Sequence, residues 1–310
     1  MKILLVAIVK NENRYLDEWV DYYYNLGFDQ IVLCDNNDIN GEIINNDKVI
    51  IENFRGQHKE RHIKIRYYGT QQDAYNFCYK KYNKDYDWIA FLDIDEFLTL
   101  VKTDIKTYLS SLPNDADVVY INWKCYGDNE HIYYENKPVQ ERFTTPINKC
   151  CNQNIPYDGV ELFKSIVRGK GRCKTVYCHT CKVIGNAVNA DGEYMRNFRY
   201  MHVYAPVKYD NIYIKHYVTK SVEEFFERHY QKPSATGIEY HHNSYKNCVD
   251  KFFHCNKWTQ EKQNVINEIV EREPIFIKRK LWVAIDKFIN KLKGNFKYFI
   301  QRIDFYLWKK

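Results

Sequence analysis

Apolar side chains are grouped along this chain in short unbroken runs that end in polar clusters and alternate with stretches of helical period. Ile3, Leu4, Leu5, Val6, Ala7, Ile8 and Val9 form the first run, which reads as a strand buried on both faces and ended by Lys10, Asn11, Glu12 and Asn13. Residues 15–26 then place Leu16, Trp19, Val20, Tyr23 and Leu26 at helical spacing, with Gly27 as the stop. A second strand, 31–34, ends in Asp35, Asn36, Asn37 and Asp38, and a third, 48–52, ends near Asn53. Residues 70–82 predict a helix with Ala74, Phe77, Cys78 and Tyr82 facing inward, and 88–92 a fourth strand. This order predicts an α/β fold with a Rossmann-like, mostly parallel central sheet and helices on both faces. Ligands bind outside the carboxyl ends of such strands, so the clusters 10–13, 35–38 and 93–96 are expected to gather at one edge.

The second half is less regular. Residues 103–112 predict a helix ended by Pro113, and 117–126 an alternating strand with Val119, Ile121 and Trp123 on one side. Residues 128–160 are polar and irregular, with prolines at 138, 146 and 156. Strands are expected at 162–167 and 212–217. A helix at 221–230 opens on a capping box of Ser221 and Glu224, and another helix at 259–272 is broken by Pro274. No internal repeat is visible.

The densest chemistry lies in Trp88-Ile89-Ala90-Phe91-Leu92-Asp93-Ile94-Asp95-Glu96-Phe97. If the strand continues through it, Asp93 and Asp95 project to one side, and Ile94 and Glu96 to the other. Two carboxylates at the end of a buried strand repel each other and resist desolvation, so a divalent cation is expected between them.

Composition narrows the partners. The 310 residues are 45% hydrophobic and 16% aromatic, enough for a sizeable core. Residues 275–310 hold ten Lys or Arg and two Asp or Glu, so that segment carries +8 of the net +6 and the remaining body −2. A near-neutral body argues against a general nucleic-acid surface. No signal peptide or membrane span is read from the sequence, and the ten cysteines are expected as reduced cytosolic thiols. Cys173, Cys178 and Cys181, with Cys150 and Cys151, raise a zinc site; adjacent cysteines fit one tetrahedron poorly, and scattered buried thiols are favoured.

Several blocks, in order, resemble the family-2-like glycosyltransferases, including the branch related to family 92. They are Lys10-Asn11-Glu12, Asp35-Asn36, the helix with Gln71, Tyr75 and Asn76, and the stretch 87–97. Further along come Lys164-Ser165-Ile166-Val167-Arg168, His179, and His216-Tyr217-Val218-Thr219-Lys220-Ser221. The resemblance implies a GT-A fold, a nucleotide-sugar donor and a Mn²⁺ or Mg²⁺ ion bridging its diphosphate. It assigns Asp95 to the metal directly, and Asp93 to the ribose or to the metal through water. It also implies that His216 completes the metal shell, that Lys220 faces the diphosphate, and that Asp35 or Asn36 meets the uracil or ribose. Lys10, Asn11, Glu12 and Gln71 are further donor contacts, loop capping being the rival role for the first three. For the base that deprotonates the acceptor, Glu161 and Asp158 rank equally, with Glu96 behind them. Structural roles are expected for His179 and His202.

The expected organisation is a catalytic domain over 1–240, with a nucleotide-binding half (about 1–100) and an acceptor half (about 101–240). A helical extension follows over 241–310. Its tail, 275–310, places apolar residues at 281, 285, 288, 289, 292 and 296 opposite a cationic face, which suits an anionic membrane surface. The expected activity is transfer of a hexose from a UDP-sugar to a glycan or lipid-linked glycan, with inversion. The enzyme would be cytoplasmic, peripheral to the inner membrane face, and serve polysaccharide or lipopolysaccharide synthesis. Its rivals are a sugar nucleotidyltransferase, disfavoured because the loop after the first strand has no glycine, and a non-enzymatic membrane scaffold.

Overall fold

Strand β1 (Ile3–Val9) is buried along its whole length, with Ile3, Leu5, Ala7 and Val9 in one hydrophobic cluster and Leu4, Val6 and Ile8 in another. A strand with apolar residues on both faces needs a layer on each side, and burial of each large aliphatic side chain contributes about 1.5–3 kcal/mol. The computed structural model describes residues 1–57, 60–63, 66–147, 160–195, 204–231 and 245–271. Helix α1 (Asn13–Leu26) buries Leu16, Trp19, Val20 and Tyr23, and ends at Gly27, whose φ of +104° lies where a side chain would be strained.

Strands β2 (Gln30–Asp35) and β3 (Ile50–Asn53), the hairpin β4 (Glu60–Ile63) and β5 (Arg66–Gly69), helix α2 (Thr70–Tyr82) and β6 (Trp88–Phe91) complete the first half. Next come β7 (Glu96–Leu100), α3 (Ile105–Ser111), β8 (Ala116–Cys125), α4 (Val139–Arg142) and β9 (Val160–Arg168). They are followed by β10 (Cys173–Val176), β11 (Cys181–Val183), β12 (Asn186–Asn189), β13 (Tyr204–Pro206) and β14 (Ile212–His216). Helices α5 (Val222–Phe226), α6 (Tyr245–Cys255) and α7 (Gln260–Glu271) close the sequence of elements, with a π-helical turn at Glu227–Gln231 after α5.

The central sheet runs β3-β2-β1-β6-β9-β8-β14-β7. The first four strands are mutually parallel, β14 is parallel to β8, and β9 and β7 run antiparallel to their neighbours. Strand β8 changes partner along its length, pairing with β12 at residues 116–120 and with β14 at 123–125, so the sheet curls. The expected mixed α/β architecture, mostly parallel, is the one observed.

Four local expectations change. Strand β6 stops at Phe91, and residues 94 and 95 turn. Strand β8 does not alternate between core and solvent, because both of its faces meet a hydrophobic layer. Phe77 of α2 is 43% exposed rather than inward, resting edge-on against Phe54. The helix expected at 221–230 widens into the π-turn after Phe226.

The chain forms two compact units, Met1–Lys262 and Gln263–Lys310. The amphipathic tail 275–310 lies outside the described residues, as do Cys150, Cys151, Asp158 and His202. Among the described residues no helix is long and apolar enough to cross a membrane.

Candidate active site

The turn after β6 is closed by long-range hydrogen bonds. The Trp19 indole donates to the carbonyls of Asp93 (3.1 Å) and Glu96 (3.0 Å), and the Tyr23 hydroxyl donates to the Glu96 carbonyl at 2.9 Å. The Glu96 N–H donates to the Asp93 carbonyl at 3.1 Å, and the Asp93 N–H donates to Glu96 Oε2 at 3.0 Å. Glu96 therefore folds back over the turn instead of pointing away from it, contrary to strand alternation. The register of β7 with β14 sets Glu96 directly opposite His216, and the register of β14 with β8 sets His216 beside Cys125.

The result is a cluster of three. One ligand atom from each of Asp95, Glu96 and His216 lies within 4.8 Å of the other two. Octahedral ligands at about 2.1 Å stand roughly 3.0 Å apart when adjacent and roughly 4.2 Å when opposite, so the three side chains must draw together to share one ion. Glu96 is wholly buried, and among the described residues its Oε1 accepts no hydrogen bond. Burial pushes the Glu96 carboxyl well above the ordinary carboxylate range. Burial likewise lowers the His216 imidazole to about 4, leaving it neutral and free to ligate. Burial opposes ionisation of Asp95 too, but Lys220, His216, Arg228 and Lys164 outweigh it and hold the carboxyl below its usual value. An ionised carboxylate, a neutral imidazole and an orphaned carboxyl oxygen fit a divalent cation.

Asp93 is not in this group. Its Oδ1 accepts from Gln71 (2.7 Å) and Tyr75 (3.0 Å), both on α2, and its Oδ2 pairs with Lys164 Nζ at 2.7 Å. Lys220 has a φ of +55°, unusual for a lysine, and its Nζ stands 3.9 Å from Asp95 Oδ2 and 4.9 Å from the centre of the Tyr15 ring. Arg228, on the π-turn, donates to the Lys10 carbonyl at 3.0 Å and pairs with Glu12 at 3.2 Å. Burial raises the Glu12 carboxyl to about 7, with Arg228 opposing. The loops after β1 and β6 and the start of α5 thus meet at one edge.

Other expected site residues have different neighbours. Asp35 is buried and paired with Arg55 at 2.8 Å; the same guanidinium donates to the carbonyls of Asp38, Ile39, Gly41 and Glu42. Asn36 donates to the carbonyls of Phe54 and Gln57. Asn11 has a φ of +57° and donates its N–H to Asn37 Oδ1, and the buried Lys10 ammonium lies 3.4 Å from Asp38. Glu161 is buried: one oxygen accepts the Leu162 N–H, and the other faces Cys125 at 3.9 Å, the same thiol lying 3.9 Å from His216 Nδ1. His179 bonds the Phe163 carbonyl and lies edge-on to Trp123, which also stacks on His216. Among the described residues, Cys173, Cys178 and Cys181 form no metal-sized group.

Two residues had no role assigned from sequence. Lys164 carried a signal, since a lysine inside the apolar run Leu162-Phe163-Lys164-Ser165-Ile166-Val167 must find a charge partner if buried. Arg228 carried none, because its contacts arise from the π-turn.

Residues 9–264 match the family model for Glycosyltransferase family 92. The chain belongs to glycosyltransferase family 92. As a member of that family it is a glycosyltransferase, and the cluster at the sheet edge is its candidate active site. No curated protein sequence matches it. A solved structure from Bacillus anthracis, assigned as a glucose-1-phosphate thymidylyltransferase, resembles this family 92 chain at 10% identity and a TM-score of 0.27. It covers 87% of this chain and 96% of its own, a likeness too loose to carry an argument.

Proposed function

We propose that this family 92 enzyme moves a hexose from a UDP-sugar to a glycan or lipid-linked glycan, with inversion, using Mn²⁺ or Mg²⁺ held by Asp95, Glu96 and His216. The observation that carries the reading is the convergence of those three side chains at the carboxyl edge of the parallel strands. When bound, the ion acts as Lewis acid and template for the nucleoside diphosphate leaving group. An imidazole among the ligands favours Mn²⁺ over Mg²⁺.

The chain's own residues support the rest of the reaction. Lys220 and Arg228 bring positive charge to the edge where a diphosphate leaves. Gln71 and Tyr75 hold Asp93, which would reach the ribose, or the ion through a water. Glu161 and Asp158 remain the candidate bases; Glu96 drops out of that role because it belongs to the metal set. Asp35 is committed to Arg55, and the Asn36 amide N–H groups to the carbonyls of Phe54 and Gln57, so the Asn36 Oδ1, which accepts no hydrogen bond among the described residues, is the acceptor assigned to the uracil or ribose.

Incubation with a panel of nucleotide-sugars, following nucleotide release without acceptor, tests the reading. Slow release from a UDP-sugar is expected with Mn²⁺, and it stops with chelator and returns when Mn²⁺ is restored. Release from no donor, or release indifferent to chelator, sinks the metal-dependent mechanism.

The +8 tail supports a location. We assign it to the anionic inner face of the cytoplasmic membrane, where surface polysaccharide is made. Full-length protein is expected to sediment with phosphatidylglycerol vesicles at low salt, and a chain truncated after Pro274 to stay in the supernatant. Equal sedimentation of both would remove the tail from membrane attachment.

A further inference from the structure

Lys164 lies in the middle of β9, between β6 and β8, and its side chain is 1% exposed. A buried ammonium in an apolar strand is costly unless charge partners surround it. Two do. Its Nζ donates to Asp93 Oδ2 at 2.7 Å and stands 3.5 Å from the orphaned Oε1 of Glu96.

Asp93 is gripped from the other side by Gln71 and Tyr75, so its carboxylate bridges β9 and α2. Its main chain is tied to both the N–H and the side chain of Glu96. The position of Glu96 beside Asp95 and His216 thus depends on a turn whose only acidic side chain outside the metal group is the one Lys164 holds.

We propose that Lys164 is a positioning residue for the metal centre. By holding Asp93 and flanking Glu96, it keeps the 93–96 turn in the form that lets Asp95, Glu96 and His216 reach one divalent cation. This role rests on the metal-dependent reading above. The competing role has the opposite sign: a built-in cation that fills the acidic site and must be overcome by the metal. Removing a competitor tightens metal binding, whereas removing a positioning group weakens it.

The experiment titrates Mn²⁺ alone into the full chain, following free ion by electron paramagnetic resonance, with thermal unfolding measured alongside. Lys164→Met is expected to weaken Mn²⁺ binding about 10- to 100-fold, as loss of a group that orients metal ligands commonly does. Lys164→Arg should recover most of that loss, which a purely steric role in the core would not allow. Asp93→Asn cuts the same tie while leaving Lys164 in place, and serves if Lys164→Met does not fold. It should lose a similar factor, and the double variant no more than either single change. Unchanged or tighter Mn²⁺ binding in Lys164→Met, or in Asp93→Asn, overturns the proposal. Wild-type protein that binds no Mn²⁺ overturns the metal site and this role together. Wild-type binding with an indifferent Lys164→Met overturns only the role of Lys164.

Discussion

Asp95→Ala is expected to lower kcat/KM at least about 10³-fold, or ~4 kcal/mol of transition-state stabilisation, and to abolish the Mn²⁺ dependence of UDP binding. Asp95 is the one member of the cluster held ionised, because Lys220, His216, Arg228 and Lys164 together outweigh its burial. Among the described residues its nearest ammonium, that of Lys220, stands 3.9 Å away, longer than a direct hydrogen bond. An arriving ion finds there the charge that neither a neutral His216 nor a buried Glu96 supplies. His216→Ala removes a neutral ligand and should cost less, with residual activity returning at higher Mn²⁺. The two variants are compared by calorimetry with UDP plus Mn²⁺ and by steady-state kinetics. Equal UDP binding by wild type and Asp95→Ala, with no response to chelator, would contradict the metal assignment.

That the first half of the sheet could be read in advance has a plain cause. In β1, β2 and β6 nearly every residue is buried on one face or the other, so the apolar runs mark the strands directly. The carboxyl-edge loops follow from that. The turn at 93–96 was not legible, because Leu92 and Ile94 extend the apolar pattern past the true end of β6. What stops the strand is the indole of Trp19, more than seventy residues away in sequence. Period-two alternation therefore sent Glu96 to the wrong side, while register against β14 brought it to His216. Asp35 shows the same limit: nothing local announces that Arg55 will claim it. The antiparallel insertion of β9 between β6 and β8 is likewise a long-range pairing, with no hairpin turn to signal it.

Acid should destabilise this protein through Glu224, and Glu224→Gln should remove much of that sensitivity. Glu224 accepts both arms of the Arg142 guanidinium, at 2.7 and 2.9 Å, the Ser221 hydroxyl at 2.6 Å and the Tyr15 hydroxyl at 2.8 Å. One carboxylate so joins α4, the first turn of α1 and the start of α5. Burial works against its charge, but the hydrogen bonds from Arg142 and Ser221 prevail and lower it from 4.5 to about 2. A folded value below the unfolded one stabilises the protein above about pH 4.5, and that contribution is lost as the pH falls toward 2. At ~1.4 kcal/mol per pH unit, the gap is worth about 3 kcal/mol. Glu224→Ala leaves Arg142 buried without its partner and is expected to cost about 3–5 kcal/mol at pH 7. The effect reaches the site, because the box opened by Ser221 fixes the chain next to Lys220, whose left-handed backbone aims its ammonium at Asp95. Urea unfolding at pH 7 and pH 3 decides the matter. Wild type should lose more stability between the two than Glu224→Gln, by roughly 2 kcal/mol since part of the gap lies below pH 3. Equal losses would mean that the Arg142–Glu224 pair does not hold these elements together.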